Sequence, residues 1–205
     1  MLPNYFLTAF AVLAATLVLG LALHPPRTLS RASRIATFAI LFVLPLLVTM
    51  LGGSAHLEHS KSTQFCLSCH EMEPYGRSLE IDDPEYLPAG HFQNRRVDSE
   101  TACYDCHTTY TMYGDISAKL KGLRHVWVHF TGTLPETIEL YEPYSNRECL
   151  HCHAGARRFE EDELHMDFRA EFETGETTCL ECHDLAHDVD ALEDLELWQP
   201  ETADG

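Results

Sequence analysis

The chain has 205 residues, with 14 Lys and Arg against 32 Asp and Glu, a formal net charge of −18. A field of that sign excludes a nucleic-acid partner and keeps a domain soluble; it favours a partner with a positive patch, while a solvated acidic surface explains most of these charges equally well. The charge is uneven: residues 1–54 hold Arg27, Arg31 and Arg34 and no acid, leaving 11 basic and 32 acidic residues, a net −21, for the rest.

Two uncharged apolar runs open the chain. Leu2 to Leu23 is long enough, at ~1.5 Å per residue, to cross a ~30 Å hydrocarbon layer. Ile35 to Leu51 is shorter and contains Pro45, which a lipid-embedded helix tolerates with a kink. The intervening loop, 24–34, carries His24 and the three arginines and so marks the cytoplasmic side, which puts everything after Gly53 in the periplasm. A cleaved secretory signal would begin basic and end in small residues; Met1-Leu-Pro-Asn-Tyr is uncharged and the run ends in His-Pro-Pro-Arg, so two spanning helices are expected.

After Gly53 all eight cysteines fall in four Cys-x-x-Cys-His motifs: Cys66/Cys69/His70, Cys103/Cys106/His107, Cys149/Cys152/His153 and Cys179/Cys182/His183. This is the attachment signature of c-type haem. Two thiols about one helical turn apart add to the two vinyl groups of one porphyrin edge, and the next residue offers its imidazole to the iron. Zinc bound by paired Cys-x-x-Cys sets is the rival, but zinc does not require a histidine directly after every second cysteine. Disulfides within Cys-x-x-Cys would close only tiny loops. Four covalent c-type haems are expected, attached on the outer face of a bacterial cytoplasmic (inner) membrane.

The periodicity of this region is poor, with helical stretches expected at Ile116–Phe130, Glu160–Glu173 and Asp188–Trp198, and no sheet. So short a segment cannot build a large core from its own side chains, and porphyrins supply the missing apolar mass. The expected fold is mainly α with much irregular structure: a transmembrane helical hairpin over 1–54, a haem-packed multihaem cytochrome domain over 55–187, and an acidic tail over 188–205. Tyr110, Tyr113 and Trp127 are expected to pack along haem edges, His151 to face solvent, His56 and His59 to lie in a membrane-proximal linker, and His129 to be a hydrogen-bonding structural residue.

Several strings between Phe65 and His187 resemble the NapC/NirT/NrfH family of membrane-bound tetrahaem quinol dehydrogenases. They are Phe65-Cys-Leu-Ser-Cys-His-Glu-Met72, Gly90-His-Phe-Gln-Asn-Arg95, Gly122-Leu-Arg-His-Val-Trp-Val-His-Phe-Thr-Gly-Thr133, Ser145-Asn-Arg-Glu-Cys149, Gly175-Glu-Thr-Thr-Cys179 and Asp184-Leu-Ala-His187. The resemblance implies His107, His153 and His183 as proximal ligands of haems two, three and four, with His187, His91 and His165 as their distal ligands. It implies Met72 on haem one with His70 off the iron; chemistry alone makes His70 the default there. Three departures stand out: a second apolar run, a longer spacing from His165 to Cys179, and His125 where the family often has an acid. His125 either caps haem one or accepts a proton from quinol, and Lys119 or Lys121 lies near where a family lysine approaches the quinol.

The resemblance implies oxidation of membrane quinol at haem one, with electrons passed on to a periplasmic reductase or cytochrome. The alternative is an electron-relay anchor subunit of a larger multisubunit respiratory complex, in contact with the lipid bilayer but without quinol chemistry. A terminal reductase would need an open iron beside a cationic pocket; histidines sufficient to cap most irons and an acidic surface argue against it.

Overall fold

A computed structural model describes residues 4–25, 30–132, 138, 143–187, 189, 192 and 195–198. The chain divides into two compact units between Ser60 and Lys61, six residues beyond the boundary expected from the apolar run.

The first unit is helical. Helix α1 spans Asn4–Leu23. A second helical run goes from Arg31 to His59 as α2 (Arg31–Phe38), a π-helical turn (Ala39–Val43) and α3 (Leu44–His59). The cause of the turn is Pro45, which has no N–H to give the preceding turn and crowds its carbonyl; widening by one residue absorbs it, and the Leu44 N–H bonds Ala39 O, five residues back. Ser30 caps α2 by accepting the Ser33 N–H at 3.1 Å. Both runs are long and apolar enough to cross a membrane, 19 residues from Tyr5 to Leu23 and 29 from Arg31 to His59, and α1 packs against α3. His56 and His59 therefore sit in the last turn of α3, not in a linker.

The second unit is built from short helical pieces: α4 (Thr63–Cys66), α5 (Glu73–Arg77), α6 (Leu87–Gln93), α7 (Ala102–His107), α8 (Gly114–Thr131), α9 (Asn146–His153), α10 (Arg157–Glu160), α11 (Glu163–Asp167) and α12 (Arg169–Thr174). The expected helix at Ile116–Phe130 lies within α8. Gly114 starts it, where any Cβ would fall 1.5 Å from Thr109 O. The expected helix at Glu160–Glu173 is instead broken into pieces. Asp162 restarts the chain as an N-cap, accepting the N–H groups of Leu164 (3.0 Å) and His165 (3.1 Å), and Gly175 ends α12 in the left-handed region at φ 76°.

Among the described residues no strand forms. The expected helix at Asp188–Trp198 is also absent there. Leu197 makes an isolated antiparallel bridge with Ile81, the Asp82 N–H bonds Glu196 O at 2.8 Å, and the Trp198 N–H bonds Glu80 O at 2.6 Å. The apolar residues of this acidic stretch are the reason. Leu192 is buried with Ile81, Tyr86 and Ala89, and Val189, Leu195 and Leu197 pack around them. The described residues of this segment thus complete a small apolar core.

A second anchor is polar. Asn146, buried at the start of α9, donates to Phe172 O (3.0 Å) and Thr177 O (2.8 Å) and accepts the Cys179 N–H (2.8 Å). One side chain thus ties the third motif to α12 and to the fourth. Asn146→Ala leaves three backbone groups without partners and is expected to cost roughly 2–3 kcal/mol. Asn94→Ala, at an exposed helix end, is expected to stay within about 0.5 kcal/mol. Denaturant unfolding of the haem-loaded protein in detergent measures both.

Candidate haem-binding sites

Each motif lies on a tight helical turn, which brings its two sulfurs and its histidine to one side. Ser62 caps α4 by accepting the Phe65 N–H at 3.2 Å. The second and third motifs occupy α7 and α9. The fourth begins a 3₁₀ turn, Cys179–Glu181, held by a reciprocal cap in which the Thr178 N–H and O–H both donate to Glu181 Oε1 at 3.0 Å.

The eight sulfurs differ in their surroundings, which four identical motifs did not indicate. None is in a disulfide. Cys66, Cys103, Cys106, Cys149 and Cys179 are half-buried, whereas Cys69, Cys152 and Cys182 are exposed. The reason lies in which cysteine meets a neighbouring motif. The Cys66 and Cys103 side chains are in hydrogen-bond contact, and so are those of Cys149 and Cys179. These contacts cover the first sulfur of every pair. Cys69, Cys152 and Cys182 are each the second of a pair, one turn further on, and no such contact covers them. Cys106 is the exception among the second sulfurs: burial, then Asp105 and Cys152, pushes its thiol up. Cys152 and Cys182 are therefore not enclosed by the polypeptide. An exposed thiol can still reach a vinyl group at a porphyrin edge, and all eight cysteines keep the spacing that attachment requires.

The motifs follow one another in space as in sequence. Motifs two and three are joined by Tyr110, whose N–H bonds Glu148 Oε2 at 2.9 Å and whose ring stacks on His151 at 3.7 Å and 7°. His151, expected simply to face solvent, is exposed but covers this tyrosine. The Tyr144 hydroxyl adds a bond to Cys106 O. Among the described residues no group of three or more His, Cys, Asp or Glu converges on a metal position.

The histidines converge in pairs. His107 and His187 have ring centroids 6.1 Å apart, His91 and His153 5.9 Å, and His165 and His183 6.2 Å. An iron bound by two opposed imidazole nitrogens at ~2 Å each separates the ring centroids by about 6 Å. His153 also lies within electrostatic reach of His91, His183 and His165, so the last two pairs form one cluster.

Hydrogen bonds orient the partner rings. His91 Nδ1 donates to Leu87 O at 2.8 Å, one turn back in α6, which leaves Nε2 as the lone-pair nitrogen. His187 Nδ1 lies 2.6 Å from Ser78 Oγ. The single Ser78 proton goes to Tyr75 O at 2.7 Å, so Nδ1 is the donor and Nε2 again carries the lone pair. His187 has a positive φ of 55°, rare for a residue with a Cβ, and burial followed by the nearby His107 lowers its pKa to about 4. It is neutral at pH 7, the form that binds metal. His165 Nδ1 is buried without a hydrogen-bond partner. These features fit a c-type haem between each pair of rings. Ser78, the Leu87 carbonyl and Asn146 had no signal in the sequence beyond proximity to a motif, because their roles depend on contacts between distant segments.

The first motif is arranged differently. His70 is exposed, and its Nε2 lies 3.3 Å from Glu71 Oε1. The same oxygen accepts from His129 Nδ1 at 2.6 Å, so His129 is the hydrogen-bonding residue expected, with a carboxylate partner inside the motif string. The His70 and His129 rings are 6.1 Å apart, but Glu71 bridges them. Beside His70 is an open cavity of about 510 Å³ lined by Leu67, Glu73, Gly76 and Arg77 among others; a Cβ at Gly76 would meet Leu67 Cδ2 at 2.6 Å. Met72, half-buried, follows on the same turn.

Helix α8 turns Lys119, His125 and His129 toward the motifs. Lys119 lies 4.8 Å above the Tyr104 ring, and burial lowers its pKa. Lys61 lies over the same ring at 5.4 Å and pairs with Asp115 at 2.7 Å. His125 is within electrostatic reach of His107, hence beside the second motif; burial, then Arg124, lowers its pKa. Lys121 lies apart from these, in a shallow surface groove with Tyr113, Ile116, Ser117, Leu120 and Arg124. Tyr113 and Trp127, expected along haem edges, are not covered by the polypeptide itself, at 70% and 69% exposure.

Comparison with known proteins agrees with this layout. The profile of the NapC/NirT cytochrome c family, N-terminal region, matches residues 29–192. The match starts after α1, so α1 is the additional helix. The cytochrome c-type protein NapC of Haemophilus influenzae is 26% identical over 180 residues, covering 79% of this chain and 85% of that one. NapC of Paracoccus pantotrophus is 27% identical over 171 residues, covering 71% and 66%. The denitrification system component NirT of Stutzerimonas stutzeri is 27% identical over 155 residues, covering 66% and 73%. No solved structure matches the chain. With four Cys-x-x-Cys-His motifs in series and a family match over most of its length, the chain belongs to the NapC/NirT cytochrome c family, the membrane-anchored multihaem cytochromes that oxidise quinol and relay electrons to periplasmic reductases.

Proposed function

We propose that this protein is a four-haem quinol dehydrogenase of the bacterial cytoplasmic membrane, with its haem unit on the periplasmic side. The observation that carries the reading is the set of three imidazole pairs at 5.9–6.2 Å, each pairing a motif histidine with a distant one. The eight cysteines hold the four groups, the exposed Cys69, Cys152 and Cys182 included. His107 and His187 serve the second, His153 and His91 the third, and His183 and His165 the fourth. The first takes Met72, because Glu71 already engages His70 Nε2.

Bound haem supplies one-electron redox chemistry, which divides the two-electron oxidation of quinol into single transfers. The chain's own residues do the rest. Lys119, half-buried over Tyr104, is the better placed of the two lysines to hold a quinol oxygen near the first motif; Lys121 lies on the outer face. His125, uncharged at pH 7 because burial and Arg124 hold its pKa down, is the acceptor for a quinol proton. The acidic surface suits a periplasmic reductase or cytochrome with a positive patch.

The relay reading, in which the chain is an anchor subunit and touches no quinol, draws support from α1, which the family match does not include and which could serve subunit packing. Mixing the purified protein with a menaquinol analogue separates the two. Rapid haem reduction is expected, and no reduction by quinol in a protein that dithionite reduces fully would leave the relay. Lys119→Gln is expected to lower kcat/KM for the analogue roughly tenfold, the worth of about one hydrogen bond. A pyridine haemochrome assay and intact mass are expected to give four haems per chain.

Two variants test the ligands. Met72→Ala is expected to alter one haem of the four in paramagnetic resonance; four unchanged signals would make the methionine assignment wrong. Ser78→Ala removes the acceptor that raises the basicity of His187 and is expected to move one midpoint potential upward by roughly 40 mV, about 1 kcal/mol for a one-electron couple. A potentiometric titration reads it directly.

A further inference from the structure

Three stretches of chain meet behind the partner rings His91 and His187. Residues 78–82 begin with Ser78, which orients His187. Helix α6 carries His91 and the Leu87 carbonyl that orients it. Gln93 joins these two stretches by donating to Leu79 O at 3.1 Å and Ile81 O at 2.8 Å. The third stretch is the chain after His187, and it packs on both of the others. Leu192 is buried with Ile81, Tyr86 and Ala89, and Val189, Leu195 and Leu197 pack around them. Its backbone accepts the Asp82 N–H through Glu196 O at 2.8 Å and donates the Trp198 N–H to Glu80 O at 2.6 Å. The polypeptide alone makes this cover, leaving Ile81 1% and Ala89 0% exposed.

His187 sits where this third stretch leaves the fourth motif. Two residues ahead of it, Leu185 O accepts the Leu87 N–H at 2.9 Å. His187 itself has a φ of 55°. A residue with a Cβ keeps a left-handed backbone only where its surroundings over-determine it. Here the Leu185 bond fixes the chain on one side and Ser78 fixes the ring. The packing of Val189, Leu192, Leu195 and Leu197 fixes the chain on the other side. Without that packing the turn can relax to an ordinary backbone, and the ring can leave Ser78. The family profile ends at residue 192, so 195–198 lie beyond what it describes.

We infer that the chain from Val189 to Trp198 is a positioning strap: by covering Ile81, Tyr86 and Ala89 and pairing with residues 80–82, it holds Ser78 and α6 in the places that aim His187 and His91. Its residues act through Ser78 and the Leu87 carbonyl; they position ligands and supply none. The strap serves two of the four sites. The fourth site's partner ring, His165, is held among Phe159 and Phe172 instead, and the first motif is tied to α8 by Glu71 and His129. The inference rests on the proposed assignment of His187 to the second haem and His91 to the third.

The test compares the haem-loaded protein in detergent with a chain ending at Leu192, by potentiometric titration and paramagnetic resonance. A loosened ring favours the ferric iron less. A loss of about threefold in that preference at each of two sites is expected, an upward shift of roughly 30 mV in two midpoint potentials at 59 mV per tenfold for a one-electron couple. The other two potentials are expected to stay in place. Ser78→Ala in the shortened chain is expected to add little at the second site, because the strap acts there through Ser78. Should the shortened chain lose its haems, Leu197→Ala in the full chain is expected to give the same two shifts in smaller size, and Leu197→Ile, which keeps the apolar contact, to restore the original values. Four unmoved potentials, or four moved alike, would overturn the inference, since a segment that only adds stability changes the unfolding midpoint without singling out two sites. The ligand assignment is checked apart from the strap by His187→Ala in the full chain, which is expected to abolish one low-spin signal; four intact signals would remove that assignment, and the inference with it.

Discussion

An imidazole offers a metal only the nitrogen that its other hydrogen bond leaves over, and two of the three partner rings in this protein, His91 and His187, are set by that constraint. His91 spends Nδ1 on a carbonyl of its own helix, so its direction is set locally by α6. His187 spends Nδ1 on Ser78, whose one proton is committed to Tyr75 O, so its direction depends on a turn far away in sequence. His165 has no such bond to Nδ1 and is placed by burial among Phe159, Phe172 and His183. A ring with a fixed tautomer and a fixed tilt tunes a metal more tightly than one held by packing. The three ring pairs are therefore held in unequal ways, and under the proposed ligand assignment their sites would differ even with the same ligand types.

The polypeptide around these rings has little apolar core of its own. A few residues near Ile81 are buried, and the remainder is held by caps, turns and long-reaching polar side chains. Asn146 satisfies three backbone groups from two other segments, and Tyr110 joins two neighbouring motifs by a hydrogen bond and a stacked ring. Polar ties of this kind are directional, and so they fix distances between motifs more narrowly than nonspecific burial would. That is what a series of redox groups requires of its scaffold, because spacing governs passage between them.

What could be read in the sequence was what depends on local spacing. The four motifs, the two apolar runs and helix α8 each have a pattern a few residues long, and Pro45 announced a disturbance whose form, a π-helical turn, came from the need to rehouse one carbonyl. What could not be read depends on contacts between remote segments. Cys149 and Cys152 look alike in their motif, yet Cys149 meets Cys179 and Cys152 stays exposed; the same holds for Cys179 and Cys182. The stretch from Asp188 to Trp198 has apolar residues at helical steps, yet in the described part its backbone pairs with Glu80 and Asp82. Glu160 to Glu173 has helical composition, but Asp162 finds two N–H groups to cap and restarts the chain there.

The first site departs from the others in a consistent direction. At the other three, paired rings face one another, whereas here a carboxylate stands between His70 and His129. Glu71 accepts a hydrogen bond from His129 Nδ1 at 2.6 Å, which ties it to α8. A thioether from Met72 needs no orienting hydrogen bond, so it can serve where the imidazole is held away. Methionine raises the potential of a haem relative to a second histidine. Under the proposed assignment the first group is then the one best suited to take an electron from a donor as weakly reducing as a quinol. With that assignment, a methionine ligand and the Lys119 and His129 side chains that α8 turns toward the first motif point to the same end of the series as the point of entry.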